Sequence, residues 1–453
     1  MSTLTTNQTQ WKEYEKGAFR FFFIYFVLQA LPLDWKYFGN LFRIQWGSLG
    51  FGDIFYISRY TPQFISGSST PSIWGIGTLA DWAFIAAIAF IGTIIWSLRD
   101  KKSENYNNLY YWLRVILRYR LAIGIIAYGF IKFFPLQSPL PSISNLNTSY
   151  GDFDRWKLFS LSLGIVPGYE SFLGLVEILV GVLLLFRKTA TLGAIIILVF
   201  TGNVFISNIA YDGGEAIYAL YLINIALFLT IYDIQRIYNL VALRKPTSPN
   251  TVKVSLNGQW RTSRLVLKSL FIFFFVFLYG YKTYAAYHHD IYQYPQAKGL
   301  AGAAGLYNVS DFRINSKQLP YSQTDTTRWN DVVFEKWNTI SIGSLKRYKA
   351  DISTTEEISR NNDDRKYELD GTTGRAYYSY VADTVKQVLL LKNRNSNYKA
   401  DQFTLHYTKP ENGTIILTGI DHNKDSVYVQ LDRINKKYLL QEAAQGRSKA
   451  LKL

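Results

Sequence analysis

The chain has 453 residues, no cysteine, four histidines and a formal charge of +16. That inventory excludes disulfides, thiol redox chemistry, zinc–thiolate sites and cysteine-held iron–sulfur clusters. The histidines are His288, His289, His406 and His422, all beyond the apolar half, so a histidine-ligated haem inside a membrane is excluded too.

A mean hydropathy of +0.00 hides two halves. Residues 1–284 hold several long apolar runs, and residues 285–453 hold none. Lys and Arg against Asp and Glu over 285–453 count 24 to 19, or +5, which leaves +11 of the +16 in the apolar half. A charge placed there argues against nucleic acid as the partner and for the positive-inside rule. The expected organisation is a cytoplasmic N-terminus at 1–17, a helix bundle at 18–284, a β-rich domain at 285–440 and a basic tail at 441–453. The first apolar run lacks a small-residue cleavage site, so it reads as a retained helix and not as a cleaved signal.

Seven runs approach the length that a bilayer core requires: 18–33, 79–98, 115–134, 170–186, 190–210, 215–232 and 266–284. If all seven span, the N-terminus and the links 99–120, 187–188 and 233–268 lie on one side with 18 basic residues. The opposite links, 34–80, 132–169 and 211–215, hold six. The first side is then cytoplasmic. The odd count puts 285–453 outside, in the periplasm of a bacterial inner-membrane protein.

The outer link 34–80 is dense in aromatics (Trp35, Tyr37, Phe38, Phe42, Trp46, Phe51, Phe55, Tyr56), as suits an interface belt or a half-buried interfacial helix. Ser66 to Ser72 reads as a loop. The outer link 132–169 carries Pro135, Pro139, Pro141 and Pro167, with a short helix expected near Trp156 to Leu163. It is too long for a simple turn.

The fourth run carries Glu177 near its middle. Gly174 lies three residues before it and Gly181 four after, on the same helix face. Glycines there admit a close neighbouring helix. The acid, which costs roughly 2.5–3.5 kcal/mol against lipid, must face protein. Two readings stay open for Glu177: a proton, cofactor or ligand contact, or a structural hydrogen-bond node.

Thr201, Asn203, Ser207 and Asn208 on the fifth run suit interhelical bonds, with Asn203 the natural partner of Glu177. Lys132, one turn after Tyr128, either pairs with an acid or a head group or reaches the outer interface. Tyr211-Asp-Gly-Gly-Glu215 reads as a solvated turn, with the mouth of a cation or substrate path as the alternative. His288-His289-Asp290 lacks further ligands at metal spacing, and Asp421-x-Asn423-x-Asp425 lacks the glycine and glutamate of a calcium loop. No metal site is expected.

Beyond residue 285 the period changes to that of strands. Residues 331–342, 375–380, 386–391, 402–407, 414–418 and 426–431 read as strands, with hairpin turns at 410–413 and 421–425. An antiparallel small barrel or sandwich follows.

Trp96 to Asp100, Tyr110 to Arg114, Tyr128 to Gln137, Tyr150 to Phe153 and the Gly-x-x-Glu-x-x-x-Gly element at Gly174, Glu177 and Gly181 together resemble the longer DoxX-like membrane proteins. The resemblance covers roughly residues 18–240 and, more loosely, the hairpins after Trp329. It implies a DoxX-type bundle with a β-rich extracytoplasmic part, and an association with quinone-linked oxidation or membrane redox complexes. The architecture is also similar to that of vitamin K-dependent carboxylase-like membrane proteins.

The leading expectation is a non-enzymatic protein. Its bundle would bind a lipid or quinone, and its β-domain would dock onto another membrane or periplasmic protein of an envelope complex. The alternatives are a quinone-linked oxidoreductase in which Glu177 handles protons, and a transporter with Glu177 and Asn203 at the midplane. The absence of a visible inverted repeat speaks against the transporter.

Overall fold

The computed structural model describes residues 11–65, 79–248, 258–351, 358, 361–410 and 413–440. The expected loop at 66–72, the tail at 441–453 and most of the N-terminal stretch 1–17 lie outside them, as do two residues of the turn at 410–413. The chain forms two compact units. One runs to Phe133 and resumes from Leu173 to Tyr284, and the other takes Phe134–Phe172 and everything from Ala285.

The first unit is helical. In order come α1 (Glu13–Ala30), α2 (Trp35–Arg43), α3 (Phe51–Ser58), α4 (Leu79–Arg99) and α5 (Asn107–Phe133). Two short helices of the second unit follow, α6 (Ile143–Leu146) and α7 (Arg155–Gly164). Then come α8 (Pro167–Leu185), α9 (Ala190–Ala210), α10 (Ala216–Ile231) and α11 (Ile234–Val241). Last are α12 (Gly258–Ile272), a widened π-helical stretch Phe273–Leu278, and α13 (Tyr279–His289).

Among the described residues, five stretches are long and apolar enough to cross a membrane: Glu13–Arg43, α4, α8, α9 and Gly258–His289. A sixth arises if α10 and α11, which meet at 70°, count as one broken span. The expected span at 115–134 is helical but is not among them, because it carries three charges, Arg118, Arg120 and Lys132.

That helix is the centre of the unit. Every α5 residue from Arg120 to Gly129 is buried, all round the helix. The apolar faces of α1, α3 and α10 pack onto it. Arg20 of α1 donates to Tyr106 Oη (2.9 Å), to Ser97 Oγ (2.8 Å) and to the Asp100 carbonyl (2.9 Å), which ties three elements together at one end.

The outer link forms two helices. Asp34 starts α2 by accepting from the Tyr37 amide at 2.8 Å, an N-cap that the aromatic density had not announced. α2 buries none of its residues, leaving Trp35 and Phe42 exposed. α3 buries Phe51, Ile54, Phe55 and Ser58.

The second unit is an eight-stranded closed antiparallel barrel with residues 134–172 packed against it. The strands are β1 (Gly305–Ile314), a two-residue β2 (Lys317–Gln318) folded back on it, β3 (Trp329–Phe334), β4 (Thr339–Ser344), β5 (Arg375–Asp383), β6 (Val388–Asn393), β7 (Gln402–Thr408), β8 (Thr414–Asp421) and β9 (Ser426–Ile434). They form a meander, and β1 pairs with β9 to close it.

Two expectations needed correction. Residues 331–342 are two strands and not one, because the chain turns at Glu335–Asn338. β1 went unrecognised, because a bulge between Val309 and Asp311 interrupts its alternation. The barrel interior is filled by Tyr307, Phe312, Trp329, Phe334, Tyr378 and Tyr380 with aliphatic neighbours, as eight strands allow.

The expected short helix near 156–163 is α7. Its stretch docks on the barrel through paired backbone and buried polar groups. Asp154 N donates to the Gly371 carbonyl (2.8 Å), Thr373 N to the Asp152 carbonyl (2.9 Å) and Asn145 Nδ2 to the Glu368 carbonyl (2.8 Å). Glu335 accepts from Ser144 N (2.7 Å) and Ser144 Oγ (2.6 Å). Gly371 has φ +68° and abuts Asp154, so a side chain there would be strained and would clash.

Candidate functional site

Glu177 stands on α8 between Gly174 and Gly181. A Cβ on Gly174 would collide with the Gly129 carbonyl and Phe133 amide of α5, and one on Gly181 with Ile126 of α5. The glycine face is therefore the seam on α5. Across it Lys132 Nζ donates to Glu177 Oε1 at 2.6 Å, with the two side chains 13% and 3% exposed. Asn203, expected as the partner, is exposed on α9. The reason is helical phase: the glycines turn Glu177 to α5, whose Lys132 supplies the counter-charge.

A second cluster lies one turn back along α5. Tyr128 Oη donates to Glu215 Oε2 at 3.0 Å, and Arg59 forms a buried ion pair with the other carboxylate oxygen. The Arg59 guanidinium sits 5.8–5.9 Å from the ring centres of Phe55, Tyr128 and Tyr218. Glu215 N donates to Asn208 Oδ1 at 3.0 Å, which fixes the turn before α10. Nearby, Arg120 Nη2 donates to the Tyr60 carbonyl at 2.6 Å and Nε to Tyr221 Oη at 3.3 Å.

Of the polar residues expected from sequence, Lys132 and Glu177 thus meet, Tyr128 and Asn208 meet at Glu215, and Asn203 stands apart. Arg59, Arg120 and Glu215 were missed. Glu215, read as part of a solvated turn, is buried. A signal existed, since Glu215 opens an apolar helix and Arg59 ends an aromatic one, but their separation of 156 residues hid the pairing.

Arg59 also lines a cleft of about 390 Å³ between α2, α3 and the residues after α3. Asp34, Lys36, Tyr37, Asn40, Asp53, Tyr56 and Tyr60 line it as well. Burial, and then the charge of Asp34, push the Tyr60 hydroxyl well above the usual tyrosine range. Tyr60 therefore stays a neutral donor. Donors, acceptors and aromatic faces around one opening suit the polar end of an amphiphile. Among the described residues no group of three or more His, Cys, Asp or Glu side chains is placed to hold a metal ion. Asp290 pairs with Arg365, and Asp421 accepts from the Asn423 and Asp425 amides as an ordinary turn.

The second unit buries its own ionisable groups where α7 meets the barrel. Glu368, fully buried, pairs with Arg394 at 3.0 Å and accepts from the Trp337 indole. Burial pushes its carboxyl up to about 7 despite Arg394, and burial raises Glu335 too. Lys157, buried under Tyr367 and facing Asp370, Glu368 and Asp154, is lowered by burial to about 7.

The signs follow from linkage. The raised Glu368 contributes stability fully present below its unfolded value, 4.5, and lost as pH rises through about 7. The lowered Lys157 contributes stability present above 10.5 and lost as pH falls through about 7. The second unit should therefore be least stable near neutrality and gain on the order of 2 kcal/mol from Glu368 between pH 7 and 5. Thermal melts of the whole chain, followed by near-ultraviolet circular dichroism at pH 5, 6 and 7, check this. Glu368→Gln should flatten the trend, and an unchanged trend in that variant would assign it to another group.

Comparison with protein-family models, with curated proteins and with solved structures found no match to this chain.

Proposed function

We propose that this is a multi-pass inner-membrane protein. Its helical unit holds the head of a lipid or quinone in the cleft beside Arg59, and its barrel faces the periplasm to dock onto a partner protein of an envelope complex. The observation that carries the reading is the cleft itself. A half-open space lined by tyrosines and both signs of charge backs onto a buried Arg59–Glu215–Tyr128 cluster. A fixed ion pair behind the lining keeps Arg59 oriented. The filled barrel favours docking by its outer surface over ligand binding inside. The resemblance of Tyr128 to Gln137 and of the Gly174–Glu177–Gly181 element to DoxX-like proteins supports the same membrane setting.

The runner-up is a quinone-linked oxidoreductase with Glu177 handling protons. It draws support from the same cleft, but Glu177 is held by Lys132 and does not line it. Purification in gentle detergent, followed by identification of bound lipids and proteins, separates the two. A retained amphiphile and a stoichiometric protein partner are expected. Asn40→Trp, on the exposed face of α2, should crowd the cleft and reduce ligand retention about tenfold, a change of about 1.4 kcal/mol. A bound quinone that passes electrons would favour the oxidoreductase. Retention unaffected by Asn40→Trp would remove the cleft from the account.

A further inference from the structure

A second cavity, about 420 Å³, opens within the barrel-bearing unit. Its walls are Pro135, Pro139 and Leu140 after α5, Pro167 at the start of α8, Ile291 just after α13, and Trp337. Trp337 is stacked at 4.3 Å on Tyr294, which also lines the space. The polar groups at the base have partners. Glu335 accepts from Ser144, and Ser138 N donates to Glu170 at 3.0 Å. The open surface is mostly carbon and calls for an apolar occupant.

The chain fixes where that occupant comes from. α13 ends the 32-residue helical stretch Gly258–His289, whose apolar part lies within it and which at 1.5 Å per residue is about 48 Å, against a hydrocarbon core of about 30 Å. Its ends therefore project beyond the core. α8 has 19 residues, about 28 Å, so its first residue, Pro167, belongs at a bilayer surface. Both helices bring cavity-lining residues to that level. The mouth exposes Leu140 and Ile291, and Lys336 stands exposed on its rim.

We propose that this cavity takes one acyl chain of an anionic phospholipid from the adjacent leaflet, with the phosphate at Lys336. The site is separate from the Arg59 cleft and rests on the membrane reading of the helices. An acyl chain removes the apolar lining from water, and the exposed ammonium on the rim answers the head group.

The test places the full chain in lipid nanodiscs that contain phosphatidylglycerol with a diazirine in its acyl chain. After photolysis, labelled peptides are mapped. Label is expected in 135–143 and 287–294. Ile291→Trp, which fills the cavity, should lower that label about tenfold, equivalent to about 1.4 kcal/mol, and leave label on the exposed face of α9 and the melting temperature unchanged. Lys336→Glu should remove the preference for phosphatidylglycerol over a phosphatidylcholine probe. Label absent from these peptides, or unaltered by Ile291→Trp, overturns the proposal while leaving the membrane reading intact. A chain that does not enter nanodiscs overturns both.

Discussion

Residues 290–453 produced alone should melt at least about 10 °C below the same barrel joined by a flexible linker to residues 134–172, given a few degrees per kcal/mol for a domain of this size. Sequence period alone suggests an autonomous β-domain from residue 290. The structure instead gives the barrel a polar seam that residues 134–172 complete. Without them Glu335 loses both bonds from Ser144, the Glu368 carbonyl loses Asn145, and the Asp152 and Asp154 backbone contacts with Thr373 and Gly371 are lost. Each buried group left without a partner costs about 1–3 kcal/mol, although water reaching the opened seam recovers part of it. Circular dichroism melts of the two polypeptides measure the difference. Equal melting temperatures would mean that the segment only rests on the barrel.

Glu177→Leu should be the most damaging single change in the helical unit. It strands Lys132 with its charge in a buried seam, and removing one partner of such a pair costs about 3–5 kcal/mol. Lys132→Met should cost a similar amount by stranding Glu177. The double variant should recover most of the loss, because a buried pair replaced on both sides by apolar groups is often neutral or better. Glu177→Gln keeps size and an acceptor but not the charge, so it should fall between wild type and Leu. Yield and melting temperature in detergent give the four values. A fully stable Glu177→Leu would show that Lys132 and Glu177 do not depend on each other. A double variant as poor as the sum of the singles would show that their effects are independent.

The sequence revealed most where one local property decides the structure. The apolar stretch at 190–210 is α9 to the residue, and the glycines around Glu177 mark a real helix seam. Hairpin turns and alternation placed β5 to β9 within a few residues. Closure of the barrel was hidden, because it depends on β1, whose bulge breaks the pattern, meeting β9 more than 100 residues later.

Pairing across distance was the other blind spot. Asn203 looked a better partner for Glu177 than Lys132 did, because membrane depth can be read along a helix but its rotation against a neighbour cannot. Glu215 looked solvated because it follows Gly213 and Gly214, and only Arg59 and Tyr128, far along the chain, explain its burial. Proline density in 132–169 correctly marked irregular structure, but not the surface that this stretch would cover.

Reporter fusions at residues 110, 150, 250 and 400 of the otherwise intact chain, read in living cells by a pair of enzymes active on opposite sides of the inner membrane, test the topology directly. Cytoplasmic signals are expected at 110 and 250 and periplasmic signals at 150 and 400. A cytoplasmic signal at 400 would remove a span and turn the barrel inward, and a soluble, unanchored product would contradict the membrane reading outright.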